Sequence, residues 1–183
     1  GIVTYAHFDG LGRTVQSIGP DVAAGKSVTY TTFDYDGRII VIQDPGNEES
    51  QARTFAYDEV GNLIAERDAL GYYTNHYYDL LGNLVKTVDA AGDTQIFVYA
   101  YTGHNAGRLT ARYVEGIAAT TTEYYDYDTF GRRTTVTKGT DPSSQSVTRV
   151  QYNQADQIIR LTDADNHVTH YWYDTRGNQT WVK

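Results

Sequence analysis

The sequence has no cysteine, no methionine, only three prolines and no long apolar run. Without cysteine there can be no disulfide staple, no thiolate metal ligand and no cysteine nucleophile. Without an apolar stretch of about 18 residues there is no candidate transmembrane helix, and the first residues lack a signal-peptide pattern, so no membrane insertion is expected. Positive charge is also scarce. The 15 lysines and arginines stand against 23 aspartates and glutamates, a formal net charge of -8. A protein that grips a phosphate backbone carries the opposite balance, so nucleic acid is not an expected partner. The missing methionine predicts that these 183 residues are a piece of a longer protein.

What is present is tyrosine and glycine, 17 of each, in a composition 40% hydrophobic and 21% charged. That balance suits a folded chain rather than a disordered one. The two residue types recur together in a unit of an aromatic, Asp, two variable residues, Gly, and Arg or Asn. Intact copies begin at Phe8-Asp9, Phe33-Asp34, Tyr57-Asp58, Tyr78-Asp79, Tyr127-Asp128 and Tyr173-Asp174. Their glycines are Gly12, Gly37, Gly61, Gly82, Gly131 and Gly177. Two copies are degenerate. One runs from Tyr101 to Gly107-Arg108, and the other, Tyr152 to Gln157, places Asp156 in the glycine slot. About eight copies, 21 to 26 residues apart, fill residues 1–183 as a single array.

Each unit predicts a β-hairpin. Asp at the first turn position accepts from backbone N–H groups, and Gly three residues later supplies the left-handed conformation that closes a type I turn with a bulge. Asp68-Ala69-Leu70-Gly71, Asp89-Ala90-Ala91-Gly92 and Asp163-Ala164-Asp165-Asn166 predict second turns of the same kind, with Asn standing in for Gly. Between turns the residues alternate with period two, as in Thr74, His76, Tyr78 and Thr169, Tyr171, Tyr173. No segment has a capped 3.6-residue period. The expected fold class is all-β: repetitive antiparallel hairpins forming a twisted, curled sheet. Extra residues at 19–26, 44–51, 102–106 and 139–146 predict polar loops. Unprotected strand edges predict edge-mediated self-association.

These motifs resemble the YD repeats of Rhs proteins, insecticidal toxin complex B and C components, wall-associated proteins and teneurins. The resemblance covers essentially the whole chain. It implies an open segment of a YD-repeat shell, a hollow wall that in the toxins encloses a toxin polypeptide and in teneurins serves adhesion at the cell surface. It further implies a secreted or surface-exposed bacterial protein whose partners are the remainder of the parent and an enclosed polypeptide. The self-cleaving aspartyl motif that ends toxin-type shells is not matched: Asp44-Pro45 and Asp141-Pro142 fall in inter-repeat loops.

The residues themselves predict no enzyme, no cofactor and no metal. Asp9, Asp34, Asp58, Asp68, Asp79, Asp89, Asp128, Asp163 and Asp174 all stand at turn positions, which explains them without a substrate. His167 and His170, three apart in a predicted strand, point to opposite faces and cannot share a zinc ion. Asp163, Asp165 and His167 imitate the start of a calcium loop, but the sixth position is Val168 instead of Gly. The aromatics Phe8, Phe33, Tyr57, Tyr78, Tyr127, Tyr152 and Tyr173 recur once per hairpin, with Tyr99 or Tyr101 filling the fifth copy. They predict a cross-strand ring ladder contributing about 0.5–1 kcal/mol per pair. The alternative is a tyrosine-rich face for carbohydrate or a protein receptor, for which Tyr77, Tyr171 and Trp172 are the candidate ligand residues.

Overall fold

The computed structural model describes residues 4–22, 25–46, 48–116 and 122–183. Its contacts divide the chain into two units, Gly1–Asp93 and Thr94–Lys183. The first contains β1 (Tyr5–Phe8), β2 (Thr14–Val22), β3 (Gly25–Phe33), β4 (Ile39–Gln43), β5 (Arg53–Tyr57), β6 (Leu63–Arg67), β7 (Tyr73–Tyr78) and β8 (Leu84–Val88). The second contains β9 (Thr94–Tyr99), β10 (Leu109–Val114), β11 (Glu123–Tyr127), β12 (Arg133–Lys138), β13 (Ser146–Tyr152), β14 (Ile158–Thr162), β15 (Val168–Tyr173) and β16 (Gln179–Val182). Within each unit every strand pairs antiparallel with the next in sequence, without a crossover. Among the described residues the one helical element is a 3-10 turn, Glu49–Gln51. The chain is therefore all-β and built of successive hairpins, as the repeat predicts.

The turns follow the expected chemistry. At Asp58 the backbone N–H donates to the Asn62 carbonyl at 2.9 Å, and the Gly61 N–H donates to the Asp58 carbonyl at 3.1 Å. The Asp58 Oδ1 accepts from the Val60 and Asn62 amides at 3.1 and 2.8 Å. Gly61 holds φ 97°, a left-handed conformation that strains any side chain. The second turns at Asp68, Asp89 and Asp163 repeat this pattern. Asn166 takes the glycine slot at φ 65°, and Asp156 does so in the degenerate copy at φ 62°.

Each turn leaves a bulge beside the aromatic. The register shifts at Phe8, Phe33, Tyr57, Tyr78, Tyr127, Tyr152 and Tyr173, so that Tyr57 opposes Leu63 and Tyr78 opposes Leu84. Leu109 opposes Tyr99, which identifies Tyr99 as the aromatic of the fifth copy.

Two expectations need correction. Residues 19–22 and 25–26 are strand: β2 and β3 run on to the Val22–Gly25 pair, with the pairing interrupted between Ile18 and Asp21, while residues 23–24 lie outside the described residues. That interruption accommodates Gly19-Pro20, since proline has no N–H for a regular ladder. His167 lies in the Asp163 turn, just before β15, rather than in a strand.

Neither unit seals a core. Among the described residues only Ala52, Ala111 and Tyr125 are buried apolar residues, and no side chain is completely enclosed. With so little burial, stability rests on what each hairpin does for its neighbour.

Candidate functional site

The constellation that recurs along the chain joins one hairpin to the next. The bulge aims each tyrosine across the preceding hairpin, where its hydroxyl donates to a backbone carbonyl. Tyr57 reaches Ile39 at 3.0 Å and Tyr78 reaches Leu63 at 3.0 Å. Tyr127 reaches Leu109 at 2.7 Å, Tyr152 reaches Arg133 at 3.0 Å, and Tyr173 reaches Ile158 at 2.8 Å. In every case the acceptor is the residue that opposes the preceding aromatic. Phe8 and Phe33 lack the hydroxyl. No ring contact joins Phe8 to Phe33, Phe33 to Tyr57, Tyr57 to Tyr78, Tyr127 to Tyr152 or Tyr152 to Tyr173 among the described residues. The ring contacts found are His170–Trp172 and Trp172–Trp181. Five tyrosines of the series are joined to the preceding hairpin by hydroxyl-to-carbonyl bonds.

The sixth residue of the unit adds a second link. Its side chain first completes its own turn: Arg38 Nε donates to Asp34 Oδ2 at 2.7 Å, and Asn62 Nδ2 donates to Asp58 Oδ2 at 2.9 Å. Where it is arginine, the guanidinium continues onto the next repeat. Arg13 lies 4.6 Å from the Phe33 ring centre, Arg38 4.9 Å from Tyr57, Arg108 5.8 Å from Tyr127 and Arg132 4.8 Å from Tyr152. Arg38 also reaches the Asp58 carbonyl at 3.4 Å, and Arg132 reaches the Asn153 carbonyl at 2.7 Å. A side chain on Gly131 would collide with Arg108. The degenerate copy swaps its parts coherently. Asn153 takes the aspartate place and bonds Gln157 at 2.7 Å, while Asp156, in the glycine place, pairs with Arg132 at 2.8 Å.

Six of the turn carboxylates, Asp9, Asp34, Asp58, Asp128, Asp163 and Asp174, are lowered below the ordinary carboxylate range. The Arg13 backbone N–H is the largest influence lowering Asp9 below the ordinary carboxylate range. The Asn side chain does the same for Asp58 and Asp174. For Asp34 and Asp128, desolvation is the largest single influence and pushes upward, but the arginine donors together outweigh it. Acceptors fixed in this way cannot act as general acids near neutral pH.

A separate ionic knot, not foreseen from sequence, lies in the second unit. Glu123 accepts from Arg112 at 2.8 Å and from the Tyr125 hydroxyl at 2.6 Å, and Lys138 stands 3.0 Å away. Arg112 first, then Tyr125, holds Glu123 down at about 2, whereas burial pushes Tyr125 up to about 12. Its partners sit on β10, β11 and β12, so no local pattern marks them.

The candidate ligand residues do not share a face. Tyr171 and Trp172 are consecutive in β15 and point to opposite sides. Tyr171 is half-buried, whereas Trp172 is exposed and packs on Trp181 at 4.5 Å. Tyr77 is exposed in β7 beside Lys86. Asp163, Asp165 and His167 come close enough together to hold a cation. Two of the three are already used by the turn: the Asp163 carboxylate accepts its amides, and the His167 ring lies 3.2 Å from Asp163 Oδ2 in the place of Asn62 or Arg38. In the first unit an open groove of about 600 Å³ is lined by Arg53, Phe55, Arg67 and Tyr72. Its arginines are engaged, Arg53 by Asp44 at 2.9 Å and Arg67 by the Ala52 carbonyl at 3.1 Å.

Comparison with known proteins agrees with this geometry. Residues 57–94 match the RHS Repeat family model. No curated protein matches the chain significantly. Among solved structures, the crystal structure of TcdB2-TccC3 aligns over 98% of the chain at 17% identity with a TM-score of 0.63. TcdB2-TccC3-Cdc42 aligns likewise with a TM-score of 0.62, and a Photorhabdus luminescens Tc holotoxin pore with 0.55. The chain spans about 12% of the first two matched chains. Residues 57–94 thus match the RHS, or YD, repeat, and the likeness to the solved structures extends the same fold over nearly the whole chain.

Proposed function

We propose that the chain is a length of structural wall in a YD-repeat shell, and that the wall encloses or displays a polypeptide such as a toxin domain. The observation that carries this reading is the lock between successive hairpins. Its tyrosine hydroxyls and clamp arginines address neighbouring repeats, and its turn carboxylates address their own turns, rather than a ligand. On this reading the protein is not an enzyme, needs no cofactor or metal, and acts in a secreted or surface-exposed bacterial protein. Its partners are the further repeats of its parent and the enclosed polypeptide. The test is limited proteolysis of the parent protein. Cleavage within the C-terminal polypeptide should be suppressed while the repeats are intact and should appear when residues 1–183 are deleted. Equal cleavage in both forms would refute enclosure.

A second reading, a carbohydrate- or receptor-binding face for adhesion, draws on the exposed Trp172–Trp181 pair with His170 beside it at 5.8 Å. Glycan-array binding lost on Trp172→Ala would support it; an empty array would leave the scaffold reading alone.

A further inference from the structure

The sixth residue of the unit is not distributed at random along the sheet. Each junction between hairpins has two ends: the sixth residue sits at one, and the chain segment connecting the hairpins closes the other. The β6–β7 junction is closed by the tight Asp68 turn, and its sixth residue is Asn62. The β14–β15 junction is closed by the tight Asp163 turn, and its sixth residue is the neutral Gln157, whose amide donates a single uncharged bond to the Gly177 carbonyl of the next hairpin at 3.0 Å. By contrast the β4–β5 and β10–β11 strands are separated in sequence by the longer stretches 44–52 and 115–122, and the sixth residues of these junctions are Arg38 and Arg108. These two junctions also have ladders of two residue pairs each, Val41–Thr54 with Ile42–Arg53, and Ala111–Tyr124 with Arg112–Glu123. Arg132 serves β12–β13, closed by the extended connection 139–145, and Arg13 serves β2–β3, whose pairing is interrupted.

We infer that the arginine is a clamp matched to the connection at the far end of the junction. Arg holds together hairpins that are joined by a long segment or, as at β2–β3, paired through an interrupted ladder, whereas Asn or Gln suffices where a tight aspartate turn already fixes the junction. The physical reason is closure. A tight turn fixes both register and separation, while a long connection leaves the strands free to part, because loop closure restrains them little. The arginine replaces that restraint by gripping the ring and turn carbonyl of the next hairpin. Asparagine makes the same bond within its own turn but ends there: among the described residues no cation lies over Tyr78, and the space beside Gly82 is open. The clamp thereby allows the connections to lengthen and vary without loosening the sheet, so loop-bearing hairpins are marked in sequence by Arg in the sixth place.

Arg38→Asn isolates the clamp, because asparagine retains the bond within the turn, as Asn62 does with Asp58 Oδ2 at 2.9 Å. Hydrogen exchange of the full chain is the assay. Arg38→Asn should speed exchange of β5 and of the Asp58 turn about three- to tenfold, with the Asp34 turn unchanged. Replacing residues 44–52 by the tight-turn sequence of residues 68–72 in the Arg38→Asn chain should restore protection. Asn62→Arg should slow exchange at the Asp79 turn less than about twofold, since the Asp68 turn already closes that junction. The inference is overturned if Arg38→Asn leaves β5 unaffected. It is equally overturned if the graft fails to rescue, or if Asn62→Arg protects its junction as strongly as Arg38→Asn exposes the other.

Discussion

Replacing Tyr127, Tyr152 and Tyr173 together by phenylalanine removes three hydroxyl-to-carbonyl bonds, of 2.7, 3.0 and 2.8 Å, and keeps every ring. Each such bond contributes about 0.5–1.5 kcal/mol net. The Tyr127 bond is partly buried, but the other two are exposed, which places them toward the lower end. The three sites are separated by whole hairpins, on the order of 10 Å, so their effects should nearly add. The triple variant should therefore lose about 2 kcal/mol. Trp172 and Trp181, in the same unit, provide the signal. Urea unfolding followed by their fluorescence should show a lower midpoint with an unchanged slope, because little surface changes. Tyr124→Phe, at an exposed ring 43% accessible, is the control and should have no measurable effect. If the triple variant unfolds within about 0.4 kcal/mol of the parent, the hydroxyls do not lock the hairpins.

Other consequences follow from the turns and the ionic knot. Gly131→Ala, at φ 84° and covered by Arg108, should destabilise more than Gly82→Ala, at φ 81° in open space, in the same urea assay. The left-handed strain common to both is about 1–2 kcal/mol, and the excess at Gly131 measures displacement of the arginine. Asp58→Ala should lose about 1–3 kcal/mol with its three acceptor bonds, while Asp58→Asn should lose much less, since Asn153 makes the equivalent backbone bonds at 2.9 and 3.0 Å. Glu123 is lowered to about 2 in the folded chain, so its contribution is complete above about 4.5 and fades as pH falls toward 2. The ceiling is about 3 kcal/mol, reduced by the exposure of Arg112 and Lys138, and Glu123→Gln should flatten the acid limb of the stability profile. Millimolar calcium should leave thermal unfolding unchanged, because Asp163 and His167 are occupied by their own turn.

The hairpins were legible in the sequence because their chemistry is local. Asp58 and Gly61 lie three residues apart, and the bonds that close the turn join groups within the same five residues. The same local logic identified Asn166 as a glycine substitute. Links between hairpins were not legible, since Tyr57 and its acceptor Ile39 stand 18 residues apart and nothing in the acceptor's side chain signals its role. The alternation of Arg and Asn in the sixth place was visible as a pattern. Its meaning required knowing that the guanidinium of Arg38 passes over the next ring. Ring stacking was expected from recurrence alone, and the bulge beside each aromatic sends the ring toward a carbonyl instead. Gly19 and Pro20 read as loop formers, but an interruption between Ile18 and Asp21 lets β2 continue past them. The Glu123 knot joins three strands and leaves no trace in any one of them.

The central claim is that the repeats beginning with Tyr57, Tyr78, Tyr127, Tyr152 and Tyr173 each fasten to the one before through that tyrosine. A crystal structure of the chain tests this most directly, by the position of five hydroxyls. The account predicts Tyr57, Tyr78, Tyr127, Tyr152 and Tyr173 within hydrogen-bond reach of Ile39, Leu63, Leu109, Arg133 and Ile158 respectively. Hydroxyls turned to solvent, or hairpins paired out of sequence order, would contradict it.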